Sequence, residues 1–394
     1  VRPESSRVLI LTQYLHIGGL ERMIVNLSTA LKARGGWEPQ VLVFDRVPEA
    51  GPENDLAPAL VAAGIPVTAV QKPKGFSPRL VLTLRRTLLE GGIGVLHTHD
   101  LAPLIYGVCV KLLCLGRVRL VHTQHSFVYL ATHWTHRHYH RFFARFADEI
   151  AVVSEDTRRS YIELGVPGEK IRVVPNGVRF PERARTPADA ERARRELRDA
   201  LDAPARAALE PFMGSRWLLH MSRVQRLKGQ DHAVELWERL SPRARGECVL
   251  LFVGPEREPG TLARLRSRIE RAPDSARVLY AGSTDRPDAW LTASDLALSC
   301  SEFEGMPLGP IEAAGAGLPL VLSRIPGHEV VRDWSSQYPL SDPDAGARQV
   351  EQILADLEAA PVDYPRRNWE KSEGLRARFT LSRMAADYER LYRA

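Results

Sequence analysis

Short, unbroken runs of Val, Ile and Leu recur along this 394-residue chain, with helical patterns between them. RVLILT (7–12), PQVLVFD (39–45), GVLHTH (94–99), VRLVHTQ (118–124), EIAVVS (149–154) and IRVVPN (171–176) read as strands. ERMIVNLSTALKARG (21–35) and SPRLVLTLRRTLLEGG (77–92) read as helices. Runs this continuous suit strands covered on both faces of a parallel sheet. The pattern restarts after residue 212 with RWLLHMS, CVLLFVG, RVLYAG, DLALSC and LPLVLS. Strand–helix alternation builds right-handed βαβ units, so the expected class is α/β with two Rossmann-like domains. The Pro- and Gly-marked PNGVRFPERA places a hinge near Val174–Val178, followed by a solvated, densely charged helix. The expected division is 1–174 for the first domain and 175–380 for the second, with a final helix over 381–394. Open α/β sheets bind ligands at the carboxyl ends of their strands, and two such domains facing across a cleft suit a two-substrate reaction.

The stretch CSEFEGMPLGPIEAAGAGLPLVLS (300–323) sets Glu304 and Glu312 around a Gly- and Pro-bearing loop. The pattern predicts a strand, a loop holding Glu304, and a helix holding Glu312 and closed by Gly317. Between the carboxylates, Gly305, Met306, Pro307 and Leu308 would present backbone N–H groups at a helix start, a setting for an anion. Carboxylates accept hydrogen bonds from hydroxyls, so the series suits hexose, diphosphate and ribose. Without its context the spacing would mean only a loop charge and a helix-surface charge.

HMSRVQRLKGQD (220–231) follows the first strand of the second series and carries Arg223 and Lys228. Two cations at a strand end fit a diphosphate and stabilise the charge it gains on departure; the bland alternative is a surface patch, to which Arg226 is assigned. In the first series, Gly18 and Gly19 open a helix where backbone could approach a phosphate or sugar. HTHD (His97, His99, Asp100) and HTQHS (His122, His125) end two strands. A metal reading of HxHD lacks a third ligand at suitable spacing, and DPD (342–344) reads as a turn.

Mean hydropathy of −0.22 and 26% charged residues describe an ordinary water-exposed surface. The apolar run Leu101–Gly116 is interrupted by Lys111 and is too short to span a bilayer. The N-terminus enters a strand with no secretory signal, and Cys109, Cys114, Cys248 and Cys300 form no disulfide framework. These features predict a cytoplasmic protein. Residues 1–180 carry 22 Lys and Arg against 15 Asp and Glu; the remainder carries 32 against 33. A basic first half is compatible with anionic lipid, nucleic acid or an acidic substrate. The segment HWTHRHYHRFFARFADE (133–149) is expected to be a packed helix with Phe142, Phe143 and Phe146 in the core, a membrane-surface patch being the second reading.

Taken together, GGLERMIVNLSTAL, VVPNGV, SRVQRLKGQD, EGMPLGPIEAAGAGLPLV and the closing helix resemble the GT-B retaining glycosyltransferases of family 4 (group 1) over nearly the whole chain. The resemblance implies that the second domain binds a nucleotide sugar, that the first binds the acceptor, and that the last helix crosses back to the first domain. It assigns Glu304 to donor-sugar hydroxyls, Glu312 to the ribose, and Arg223 with Lys228 to the diphosphate. Gly18 and Gly19 would approach the donor, His125 would lie beside the donor sugar, and His99 with Asp100 would line the acceptor side. Ser283 and Thr284 are the base contacts it suggests. Arg179 stands where the family usually has Asp after NGV. No metal or other cofactor is implied, and retention would follow a front-face path that needs no protein base behind the sugar. The expected reaction is hexosyl transfer from a UDP- or GDP-sugar to a glycan or lipid-linked acceptor in surface polysaccharide synthesis. The expected location is the cytoplasm or the inner face of the cell membrane, with an anionic membrane surface as a partner and no nucleic acid. A sugar-nucleotide epimerase, a sugar phosphorylase or a non-catalytic binding subunit on the same scaffold are the alternatives.

Overall fold

The structure, a computed structural model, describes residues 6–16, 18–45, 55–125 and 134–394. His133 and Ser126 of the segments discussed above lie outside them. The chain divides into two compact units, one of residues 1–178 with 379–394 and one of 179–378.

The first unit holds seven parallel strands: β1 (Arg7–Thr12), β2 (Glu38–Val43), β3 (Val67–Ala69), β4 (Val95–His99), β5 (Arg119–Gln124), β6 (Glu149–Val152) and β7 (Ile171–Val173). Their order is β3-β2-β1-β4-β5-β6-β7. Alternate residues of β1 enter opposite layers: Leu9 and Leu11 join one buried cluster, Val8 and Ile10 the other. Burial on both faces is why the strands show no polar alternation.

The second unit repeats the plan with β8 (Arg216–Met221), β9 (Cys248–Val253), β10 (Val278–Tyr280), β11 (Leu296–Ser299), β12 (Leu320–Ser323) and β13 (Ser336–Tyr338), ordered β10-β9-β8-β11-β12-β13. Both units are Rossmann-like, as expected. The sequence reading missed β3 and β13, each a three-residue edge strand. Their sequences, VTA and SQY, hold no apolar run to betray them.

The last helix, Leu381–Arg393, packs on the first unit, as expected. Met384, Ala385, Tyr388, Leu391 and Tyr392 enter the same cluster as Val8 and Ile10. Burying an apolar side chain such as Met384 contributes roughly 1.5–3 kcal/mol. Arg34 pairs with Glu389 at 3.1 Å, and Arg119 Nε donates to the Leu391 carbonyl at 2.8 Å. The first unit reaches Val178 rather than Val174, because the Val178 N–H donates to the Phe379 carbonyl at 2.9 Å and Gly177 N–H lies 3.0 Å from Met384 Sδ.

Two expectations need correction. The charged helix Pro187–Ala200 is not simply solvated: it buries Ala193 and Leu197, and Arg194 reaches Asp295 at 2.5 Å while stacking over Trp217. Its charges fall partly on the inner face, where they find partners. The segment Trp134–Phe143 is helical, but Phe142 is 56% exposed and Phe146 38% exposed. His140, bonded to Tyr161 at 2.9 Å, and Ala144 fill the inner positions instead, with Phe143 half-buried.

Candidate active site

In each sheet the strand order reverses between two central strands, β1 and β4 in the first unit and β8 and β11 in the second. Ligands of open α/β sheets gather at the carboxyl side of such a switch point. In the second unit Arg223 and Lys228 follow β8, and Glu304 follows β11.

The loop after β8 tightens into a turn, Arg226–Lys228, and leads through Gly229 into the helix Gln230–Arg239. Gly229 has φ +68, and a Cβ on it would fall on the Cys300 carbonyl. Glycine therefore lets the turn lie directly on the end of β11. The Glu302 N–H donates to the Leu227 carbonyl at 3.0 Å, locking the two loops together. In consequence Lys228 Nζ stands 2.7 Å from each carboxylate oxygen of Glu304, and Ser301 Oγ donates to Oε1 at 2.7 Å. Gly327 lies against the Glu304 backbone with no room for a Cβ.

Burial pushes the Glu304 carboxyl up, but the Lys228 charge and the hydrogen bonds of Lys228 and Ser301 outweigh it, and the pKa ends below the usual range. Glu304 is thus held as a carboxylate. Arg223 differs: it is half-buried, and among the described residues its guanidinium has no carboxylate or hydrogen-bond partner. Its backbone is fixed by Gln230, whose Nε2 donates to the Arg223 carbonyl at 2.9 Å. A partly desolvated guanidinium with no acid of its own suits an incoming anion.

Glu312 sits half-buried inside the helix Leu308–Gly315, as expected, and Gly317 has φ +81 just beyond its end. The run of N–H groups over Gly305–Leu308 is narrower than expected. Pro307 has no N–H, and that of Leu308 turns back to the Met306 carbonyl at 3.1 Å. Two of the four positions therefore offer no N–H to an anion. Ser283 is exposed in the loop after β10, while Thr284 Oγ1 accepts from the Arg286 N–H at 2.9 Å. Asp342 of the DPD triplet caps the helix Pro343–Ala359 by accepting from Ala345 N–H. The sequence reading gave no role to Ser301, Gln230 or Gly327. It also passed over His328, which is fully buried with Nδ1 2.7 Å from the Ser323 carbonyl. Only their arrival beside Glu304 and Arg223 shows what they do.

In the first unit, Gly18 is extended (φ −169) at the start of the helix Gly19–Arg34, and its carbonyl accepts from Arg22 N–H. His97 and His99 project from the same face of β4, with ring centroids 4.3 Å apart. His97 is held by Tyr392 at 2.8 Å and by Thr123 at 2.7 Å; Thr123 in turn meets Tyr388 at 3.0 Å. His99 Nδ1 lies 2.9 Å from His125 Nε2. Burial drives both rings far towards the neutral form, His125 to about 3. His99 Nε2 is buried without a partner among the described residues. A buried N–H without an acceptor is rare in native structures, which assigns the His99 proton to Nδ1 and leaves His125 protonated on Nδ1. His125 is then a neutral hydrogen-bond donor. Asp100 has φ +69, and burial raises its carboxyl to about 6. Among the described residues no three His, Cys, Asp or Glu side chains converge as a metal site.

The model of Glycosyltransferase Family 4 matches residues 17–180, and that of Glycosyl transferases group 1 matches residues 215–356. The chain belongs to the family 4, group 1 glycosyltransferases. The glycosyltransferase is 23% identical over 309 residues to N-acetyl-alpha-D-glucosaminyl L-malate synthase of Bacillus anthracis, covering 76% of this chain and 74% of that one. It is 26% identical over 344 residues to the glycogen synthase of Mycobacterium tuberculosis, covering 79% and 75%. In fold it matches Anabaena HepE in complex with UDP-glucose, with a TM-score of 0.81 over 98% of both chains at 18% identity. The fold of this glycosyltransferase is therefore that of the GT-B enzymes.

Proposed function

We propose that the enzyme transfers a hexosyl group from a UDP- or GDP-sugar to a glycan or lipid-linked acceptor, with retention of anomeric configuration. The setting we assign is assembly of a surface polysaccharide at the cytoplasmic side of the cell membrane. The observation that carries this reading is the pairing of a neutralised carboxylate with an unpaired guanidinium at one switch point. Glu304, ionised beside Lys228, accepts hydrogen bonds from sugar hydroxyls. Arg223, with no acid of its own among the described residues, receives the diphosphate, and Lys228, whose charge is shared with Glu304, is assigned to it as a second donor. The UDP-glucose complex of a protein with the same fold supports a nucleotide sugar as the ligand of this strand end.

In the proposed reaction the bond from the anomeric carbon to the diphosphate oxygen breaks as the acceptor oxygen bonds to that carbon from the same face. The acceptor proton passes to the departing phosphate oxygen. Charge on the diphosphate grows along this path, so Arg223 and Lys228 bind the transition state more strongly than the ground state. With those two cations in place, no metal is required. His125, as a neutral donor, and Glu312 are assigned to the donor sugar and the ribose; His99 and Asp100 are assigned to the acceptor side.

The test is transfer from radiolabelled UDP- and GDP-sugars to lipid-linked and polysaccharide acceptors, with the new linkage read by NMR. Glu304→Ala and Arg223→Ala should each lose transfer while their circular dichroism stays that of the wild type. Turnover at the wild-type level in both variants would overturn the assignment, as would an inverted linkage for the claim of retention.

A further inference from the structure

Of the twelve large apolar side chains most exposed among the described residues, eleven belong to the first unit, and seven lie between residues 112 and 146. They are Leu112, Leu113, Leu115, Trp134, Tyr139, Phe142 and Phe146. The helices Leu101–Leu113 and Trp134–Phe143 pack side by side. Lys111 Nζ donates to the Phe146 carbonyl at 2.9 Å, just beyond the second helix, and Arg85, from the helix Pro78–Glu90, donates through Nε to the Leu113 carbonyl at 3.1 Å. Phe142 and Phe146 stand 5.4 Å apart. Leu112, Leu113, Phe142 and Phe146 therefore belong to one surface rather than to scattered positions. Single exposed apolar side chains need no explanation, but a contiguous group marks an interaction site.

Leu115 is the sharpest member. It is 87% exposed and adopts a left-handed conformation, φ +52, directly before Gly116 at φ +77. Folding alone favours Gly or Asn at such a position, so an exposed leucine held there is a feature that stability does not explain.

Two of the cations around these residues are paired, Lys111 with Asp148 at 2.7 Å and Arg119 with Glu149 at 3.6 Å, and those left unpaired are all arginines. From Leu101 to Ala147 the sequence has six Lys and Arg and no Asp or Glu. Among the described residues, Arg85, Arg117, Arg137, Arg141 and Arg145 have no carboxylate partner. Apolar side chains ringed by uncompensated arginines complement a surface that is hydrocarbon beneath and anionic above. A nucleic acid would answer the arginines, but not three clustered leucines.

We propose that this face of the first unit docks on an anionic lipid bilayer, with Leu112, Leu113, Leu115 and Trp134 entering the acyl boundary. Arg85, Arg117, Arg141 and Arg145 meet the lipid phosphates. The proposal deepens the reading of a lipid-linked acceptor and rests on it, but its test involves no sugar transfer, so either can fail alone.

The full chain is floated with phosphatidylcholine vesicles, with and without phosphatidylglycerol. Partition should rise about tenfold with the anionic lipid and fall back in high salt. The triple variant Leu112→Ser, Leu113→Ser, Leu115→Ser should lose about tenfold in partition. Arg141→Glu with Arg145→Glu should abolish the preference for phosphatidylglycerol, with circular dichroism and thermal midpoint unchanged in both. Brominated lipid should quench wild-type tryptophan fluorescence and leave Trp134→Phe unquenched. Equal partition of the wild type into both vesicle types, or wild-type partition by both multiple variants, would overturn the proposal. Retention on single-stranded RNA without flotation would overturn it in favour of a nucleic acid.

Discussion

Lys228 Nζ lies equidistant, at 2.7 Å, from the two carboxylate oxygens of Glu304, bridging the loops that follow β8 and β11. The cation and the carboxylate were assigned to different parts of the donor when read from the sequence. In the fold each sets the state of the other, since the side chains are only 18% and 11% exposed. The pair is a single polar unit, its cation five residues from Arg223 in the same loop.

Breaking that unit should cost more than removing it. Lys228→Met leaves the Glu304 carboxylate desolvated and unpaired and should lower unfolding free energy by about 2–3 kcal/mol. The double variant Lys228→Met, Glu304→Gln should recover part of that loss. Because Glu304 ionises below its ordinary value in the native fold, its contribution is present above the unfolded carboxyl pKa and is lost as pH falls through the lower native value. In Lys228→Met the sign reverses, so stability should decline as pH rises. Urea melts over a pH series check both statements.

Gly229→Ala should disturb the site without touching a charged group. The left-handed backbone and the contact with the Cys300 carbonyl both oppose a Cβ. A loss of about 1–3 kcal/mol in stability is expected, with weaker nucleoside diphosphate binding by calorimetry as Lys228 shifts from Glu304. Unchanged binding would separate this turn from the donor site.

Asp100→Asn should stabilise the protein. Burial raises the Asp100 carboxyl to about 6, so its ionised form costs stability as pH rises through that value. Asn keeps the shape and asks no more of the backbone at φ +69 than Asp does. The variant should gain about 1–3 kcal/mol at pH 8 and nothing at pH 4, as read by thermal midpoints at the two pH values.

Chelation should leave transfer intact. If Arg223 and Lys228 carry the diphosphate charge, initial rates with and without EDTA should agree within error. A loss restored by a divalent cation would show that the two side chains are insufficient.

The two Rossmann-like sheets were legible in the sequence because central parallel strands are buried on both faces and appear as unbroken Val, Ile and Leu runs. Strands β3 and β13 were not, since VTA and SQY hold no such run, whereas the edge strands β7 and β10 do. Arg223, Lys228, Glu304 and Glu312 could be named because each follows, or lies just beyond, a readable strand end. The exposed Phe142 and Phe146 were assigned to the core because helical spacing does not say which face is inward. His140 and Ala144 took those positions.

By itself, the sequence determined the class of fold and the strand ends that carry the charged groups, because both follow from local periodicity and turn residues. Tertiary structure alone decided which of those groups meet. Lys228 and Glu304 are 76 positions apart, as are His97 and Tyr392 by 295, and no local pattern encodes contacts at such separations. The first arises because parallel strands distant in the chain are laid side by side and Gly229 removes the last steric obstacle between their loops, the second because the last helix packs on the first sheet.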